Sequence, residues 1–159
     1  MLTLFTIPKP FTGESRMSQR NAIFSWQRLL PDCQILLYGD EHGIGEAARD
    51  FGAMHCPDLQ CNEYGTPLLD SVFLDAQGRA KHRTVGYVNT DILLWGSPSP
   101  RVALSERAAG YLCIGERIDT DLRVDLEELG DERYTATLEK MKNEGTLHGP
   151  KGIDYFIFP

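Results

Sequence analysis

The run Tyr87-Val88-Asn89-Thr90-Asp91-Ile92-Leu93-Leu94 brings an amide and a carboxylate, two residues apart, into an otherwise apolar stretch. Burying a carboxylate without a partner is expensive, so Asp91 demands a cation, a set of donors or water beside it. Residues i and i+2 of an extended chain project to one face. On that basis Asn89 and Asp91 are expected to point together into one cleft. An oxygen-rich pair at the end of a core strand suits a hard divalent cation carrying a phosphorylated ligand. Asn-Thr-Asp is equally a turn or cap sequence, so its chemistry depends on the elements that hold it.

Those elements alternate. Leu2 to Ile7 is β-prone and is stopped by Pro8-Lys9-Pro10. Arg16 to Leu30 carries apolar residues at helical spacing, with Ser15 or Ser18 placed to cap it and Pro31 ending it. Gln34 to Tyr38 is a second strand, Ile44 to Phe51 a helix stopped by Gly52, and Ala53 to Cys56 a third strand. Asn62 to Pro67 is a loop, with Thr66 as N-cap and Pro67 as first residue of a helix reaching Ala80. Thr84 to Leu94 is the fourth strand. A turn over Gly96 to Pro100, a short helix over Arg101 to Ala109 and a strand over Tyr111 to Gly115 follow. Glu127 to Asn143 is a charged helix broken near Gly130, Gly145 to Gly152 a loop, and Ile153 to Phe158 a final strand. Alternation of this kind predicts an α/β sandwich around a mostly parallel sheet. Such sheets bind ligands at the carboxyl ends of their strands.

Composition narrows the partners. A chain of 159 residues, 42% hydrophobic and 25% charged, suits one globular domain spanning 1–159. The net charge of −7, with scattered Lys and Arg, argues against nucleic acid as a partner. No apolar run has the length of a membrane span. Met1 to Ile7 shows neither a basic leader nor a cleavage pattern. With four cysteines and no Cys-x-x-Cys pair, the expected location is the reducing cytoplasm. His55-Cys56 with Cys61 lacks the second ligand pair of a zinc site, so the thiols are expected to be buried apolar groups.

Six pieces, taken in order, carry a resemblance: Phe5-Thr6-Ile7-Pro8-Lys9-Pro10-Phe11, Gln19-Arg20-Asn21-Ala22 with Ser25-Trp26, Tyr38-Gly39-Asp40-Glu41, Asn62-Glu63-Tyr64-Gly65-Thr66-Pro67-Leu68-Leu69, Tyr87 to Ile92, and Gly152 to Pro159. The chain resembles the nucleotide-diphospho-sugar transferases of GT-A fold, most of all a bacterial group of glycosyltransferases, over nearly its whole length. The resemblance implies a Rossmann-like three-layer sandwich. It also implies transfer of a sugar from a nucleoside-diphosphate sugar to an acceptor hydroxyl, on a glycan or lipid-linked sugar, with Mn²⁺ or Mg²⁺. The fold's Asp-x-Asp metal motif maps to Asn89-Thr90-Asp91, with Asp91 as the direct ligand and Asn89 serving the metal, its water or the ribose. Thr6, Ile7 and Pro8 are implied to border base and ribose, Asp40 to accept from them, and Tyr64-Gly65 to sit where a helix N-terminus meets phosphate. Arg20 is implied to reach the diphosphate. Asp154 is the candidate base for the acceptor hydroxyl, His148 a further metal ligand and Lys151 a phosphate contact.

Three other readings compete. A nucleotidyltransferase would carry a Gly-rich loop after the first strand, where this chain has Pro8-Lys9-Pro10-Phe11. A non-catalytic or degenerate nucleotide-sugar-binding module fits the amide at Asn89 and an end directly after Phe158-Pro159, where enzymes of this fold usually continue. A receiver-like or flavodoxin-like domain would need an acidic cluster or phosphate loop after the first strand.

Overall fold

The computed structural model describes residues 1–96 and 110–159. The helix expected over 101–109 and most of the turn before it lie outside them. Six strands form one sheet: β1 (Leu2–Thr6), β2 (Gln34–Tyr38), β3 (Met54–Cys56), β4 (Thr84–Val88), β5 (Cys113–Glu116) and β8 (Ile153–Phe158), in the order β3-β2-β1-β4-β8-β5. The first four are parallel, and β8 runs antiparallel to both β4 and β5. A two-stranded ribbon pairs β6 (Ile118–Asp119) with β7 (Thr146–Leu147). The helices are α1 (Gly13–Leu29), α2 (Ile44–Asp50), α3 (Leu69–Arg79) and α4 (Asp131–Glu144), with a 3₁₀ turn at Leu126–Glu128.

The layers follow from strand alternation. Leu4, Ile35, Leu37 and Val88 pack with Ala22, Ile23 and Trp26 of α1 and with Ile44, Ala47 and Ala48 of α2. Phe5, Leu36, Tyr38 and Val85 face the other way, onto Val72 and Ala76 of α3. Gly86 leaves β4 bare where Leu4 and Ile157 close in; a Cβ there would meet them at 3.1 and 3.3 Å. The result is an α/β sandwich on a mostly parallel sheet, as the alternation predicts.

Several boundaries differ from the sequence reading, four of them with a visible cause. β4 ends at Val88, six residues short of Leu94, because Ile92 N–H turns back onto the Asn89 carbonyl (3.1 Å). Ile92 and Leu94 pack, partly buried, against the α1 face instead, and Leu93 against the α4 cluster. α1 begins at Gly13, and the Ser18 hydroxyl bonds back to the Glu14 and Ser15 carbonyls rather than capping. α3 begins at Leu69, not Pro67, because the Asn62 side chain gathers the Tyr64 and Thr66 N–H groups into a turn (3.0 and 2.9 Å). The 145–152 loop contains β7, paired to β6.

Helix α1 holds the loops through buried polar side chains. Gln19 accepts from Lys9 N–H (2.7 Å) and donates to its carbonyl (3.0 Å). Asn21 donates to the Val124 carbonyl (2.9 Å) and accepts from Leu126 N–H (2.8 Å). Ser25 accepts from Leu94 N–H (2.9 Å), and Trp26 donates to the Ile92 carbonyl (2.7 Å). Asn21 is 1% exposed, so no water replaces its bonds. Asn21→Ala is expected to cost about 3 kcal/mol in urea denaturation, since it orphans two backbone groups. A loss below about 0.5 kcal/mol would show that the 124–126 segment is held otherwise.

Candidate functional site

Chain direction in the sheet reverses its spread once. From β1 the chain moves outward through β2 and β3, then returns to β4 on the other side of β1. In such sheets the crevice beyond the carboxyl ends of the two central strands is where ligands bind. Here the Thr6 and Thr90 hydroxyls meet across it at 2.7 Å, both residues buried. Beside this bridge opens a cleft of about 1010 Å³. Its walls are the start of α1 (Glu14, Met17), the Asp91–Trp95 segment, β5 and β6, residues 120–123, and Asp154 with Tyr155.

Asp91 stands in this cleft, exposed, and no described residue hydrogen-bonds or ion-pairs with it. Asn89 does not accompany it. The turn at 89–92 ends the extended geometry on which a shared face depends. The Asn89 side-chain oxygen (Oδ1) accepts from the Tyr87 hydroxyl (2.9 Å), and its side-chain amide nitrogen (Nδ2) donates to Asp154 (2.8 Å). Burial pushes the Tyr87 phenol up, with the negative charges of Asp91 and Asp154 adding to it, so it stays a donor.

Asp154 is 8% exposed, and both of its oxygens accept from Arg117 (3.1 and 2.9 Å). Both acceptor oxygens of this carboxylate are thus engaged by an arginine. The Arg117 Nε–H donates to Asp119 (2.7 Å), and its other terminal nitrogen meets the His148 ring at 3.0 Å. His148 Nδ1 lies 2.6 Å from Asp119. Neither Arg117 nor Asp119 was singled out by sequence; the available signal was opposite charges at i and i+2 beside an apolar strand.

The other expected contacts lie elsewhere. Arg20 is paired with Asp50 (2.7 Å) and Glu127 (2.8 Å) and lies over the Phe51 ring at 4.8 Å, so it ties α1 to its neighbours and does not line the cleft. Both carboxylates hold its guanidinium above the ordinary range, Glu127 most strongly. Ile7 packs on the α3 side and Pro8 is buried. Asp40 is exposed, 3.9 Å from His55. Tyr64 and Gly65 form the exposed tip of the Asn62 turn, ahead of the start of α3 rather than on it. Lys151 is exposed in the turn before β8. None of these side chains lines the cleft, and neither does His148.

The cleft is negative. Six carboxylates line it against two arginines. Arg117 is taken up by Asp119 and Asp154, and Arg123 by Asp121 (2.7 Å). A bare diphosphate is repelled by such a wall; a cation is attracted. Among the described residues no three His, Cys, Asp or Glu side chains gather as a metal cage. Nor is any described helix long and apolar enough to cross a membrane. No family model matches the chain, and no curated protein does.

The Arg117 cluster makes a pH prediction. His148 first, then Arg117, hold the Asp119 carboxyl below its ordinary value of 3.8. A depressed carboxyl contributes its interaction above its unfolded value and loses it as pH falls through the native one. The Asp119 carboxyl carbon is expected to titrate by NMR with a midpoint below 3.8. In His148→Ala that midpoint should move up. An unshifted wild-type midpoint would dissolve the cluster.

Proposed function

We propose that this chain is a glycosyltransferase of the GT-A kind, moving a sugar from a nucleoside-diphosphate sugar to an acceptor hydroxyl with a divalent ion at Asp91. One observation carries the reading: an exposed carboxylate, unpaired among the described residues, follows the carboxyl end of β4, a central strand of the parallel part of the sheet, and stands in a large cleft. The order β3-β2-β1-β4 is the leading half of the doubly wound arrangement that binds nucleotides. Mg²⁺ and similar ions are commonly held by one or two carboxylates plus the phosphates of the substrate, so a cage of protein ligands is not required.

In this reading Asp91 holds Mn²⁺ or Mg²⁺. Once bound, the ion supplies positive charge against the diphosphate that leaves. The acidic wall selects the metal-bound diphosphate over the free one. Arg117 presents a guanidinium in the same wall, held there by Asp119 and Asp154, which line the cleft with it. The acceptor would be a glycan or lipid-linked sugar hydroxyl, and the four free thiols fit the reducing cytoplasm as its setting.

A second reading is favoured by one fact. Asp154, the candidate base, is spent on Arg117. A non-catalytic nucleotide-sugar-binding module would have the same cleft without a base.

Calorimetry with nucleoside diphosphates, with and without Mn²⁺, tests both. Metal-dependent binding is expected, weakened at least about tenfold in Asp91→Ala, a loss of about 1.4 kcal/mol or more. Transfer or hydrolysis of a bound nucleotide sugar separates the enzyme from the module. If no nucleotide binds in either condition, both readings fall.

A further inference from the structure

The amide at position 89 has a task that the metal reading does not give it. Its two polar ends are both engaged, one by the Tyr87 hydroxyl at 2.9 Å and one by Asp154 at 2.8 Å. The Asn89 main chain is tied to the same residue, its N–H donating to the Asp154 carbonyl at 3.0 Å. Asp154 in turn faces Arg117 with both oxygens. A carboxylate at 89 would put oxygen against oxygen where a donor now meets an acceptor, and two acids at that distance cannot both stay ionised comfortably.

We infer that Asn89 is a positioning residue: Tyr87, Asn89 and Asp154 form a relay that fixes the Arg117 guanidinium in the cleft wall, and residue 89 does not hold the ion. The inference rests on the cleft being the ligand site, as proposed above. An amide is the one group of this size that accepts from a phenol at one end and donates to a carboxylate at the other. Tyr87 is itself held by ring contacts, stacked on Phe73 and edge-on to Phe5. The relay thus begins in the α3-face core, crosses from β4 to β8, and ends at a charge that lines the cleft. The departure from Asp-x-Asp at this position then follows from Asp154 and is no sign of a decayed metal site.

The Arg117 Nη1–H NMR signal, from the nitrogen that Asp154 holds, and its exchange with water test the relay without any ligand. Wild type should show a protected signal. Asn89→Asp should speed its exchange at least about tenfold, and the reciprocal swap Asn89→Asp with Asp154→Asn should recover part of the protection, because the 89–154 bond re-forms while Arg117 keeps a single amide oxygen at 154. Tyr87→Phe, which removes one hydroxyl and leaves the rings packed, should give a smaller change in the same direction, and it covers the case in which Asn89→Asp fails to fold. Unchanged exchange in both Asn89→Asp and Tyr87→Phe would overturn the relay. A Mn²⁺ titration gives the other arm. If residue 89 were a ligand, Asn89→Asp would add a charge and tighten Mn²⁺ about tenfold or more, which would overturn the inference. The relay expects no tightening. Wild type that binds no Mn²⁺ removes the functional reading, and the exchange measurement then decides the relay by itself.

Discussion

Three separate stretches of loop, two of them bordering the cleft, are fastened to α1 by hydrogen bonds to its buried side chains. Main-chain N–H and C=O groups carry a heavy penalty when buried unpaired, and loops have no ladder to satisfy them. Gln19 takes both groups of Lys9, Asn21 takes Val124 and Leu126, and Ser25 with Trp26 takes Leu94 and Ile92. The helix meanwhile buries Ala22, Ile23 and Trp26 on the sheet. One element therefore serves as core layer and as template for three separated stretches of chain. The motif Gln19-Arg20-Asn21-Ala22 with Ser25-Trp26 has a physical meaning in these bonds. Arg20 joins the same scheme through ion pairs to Asp50 and Glu127.

The cleft opposes two kinds of carboxylate. Asp154 is buried, and its charge is tolerable because Arg117 and Asn89 supply donors on both sides. Asp91 is exposed and makes no such bond with any described residue. Breaking the first arrangement leaves an uncompensated buried charge, whereas the second keeps its charge at the cost of water alone. The paired acid and the solvent-facing one are in this way sorted by burial, although the sequence presents both inside apolar runs.

The ribbon of β6 and β7 belongs to the same design. It brings Asp119 and His148, distant in sequence, against one guanidinium. That pairing sets the far end of the Tyr87–Asn89–Asp154–Arg117 chain, so the cleft wall is continuous with the hydrophobic core on the α3 side.

How much was legible depends on range. The alternation of apolar strands and amphipathic helices, set by local side-chain chemistry, was enough to predict a mostly parallel α/β sheet and the break near Gly130, and to pick out Asp91 as the acid at the end of β4. The positions of Asn89, Asp154 and Arg20 were not legible, because each is decided by a partner far along the chain: Asp154 for Asn89, Arg117 for Asp154, Glu127 and Asp50 for Arg20. The apolar run Ile92–Leu94 has the pattern of a strand, and only its bonds to Ser25 and Trp26 turn it across α1. Side-chain type along the chain determined which residues had to leave water. Tertiary structure alone decided which polar group each would meet, because a hydrogen bond is specific to a partner and burial is not.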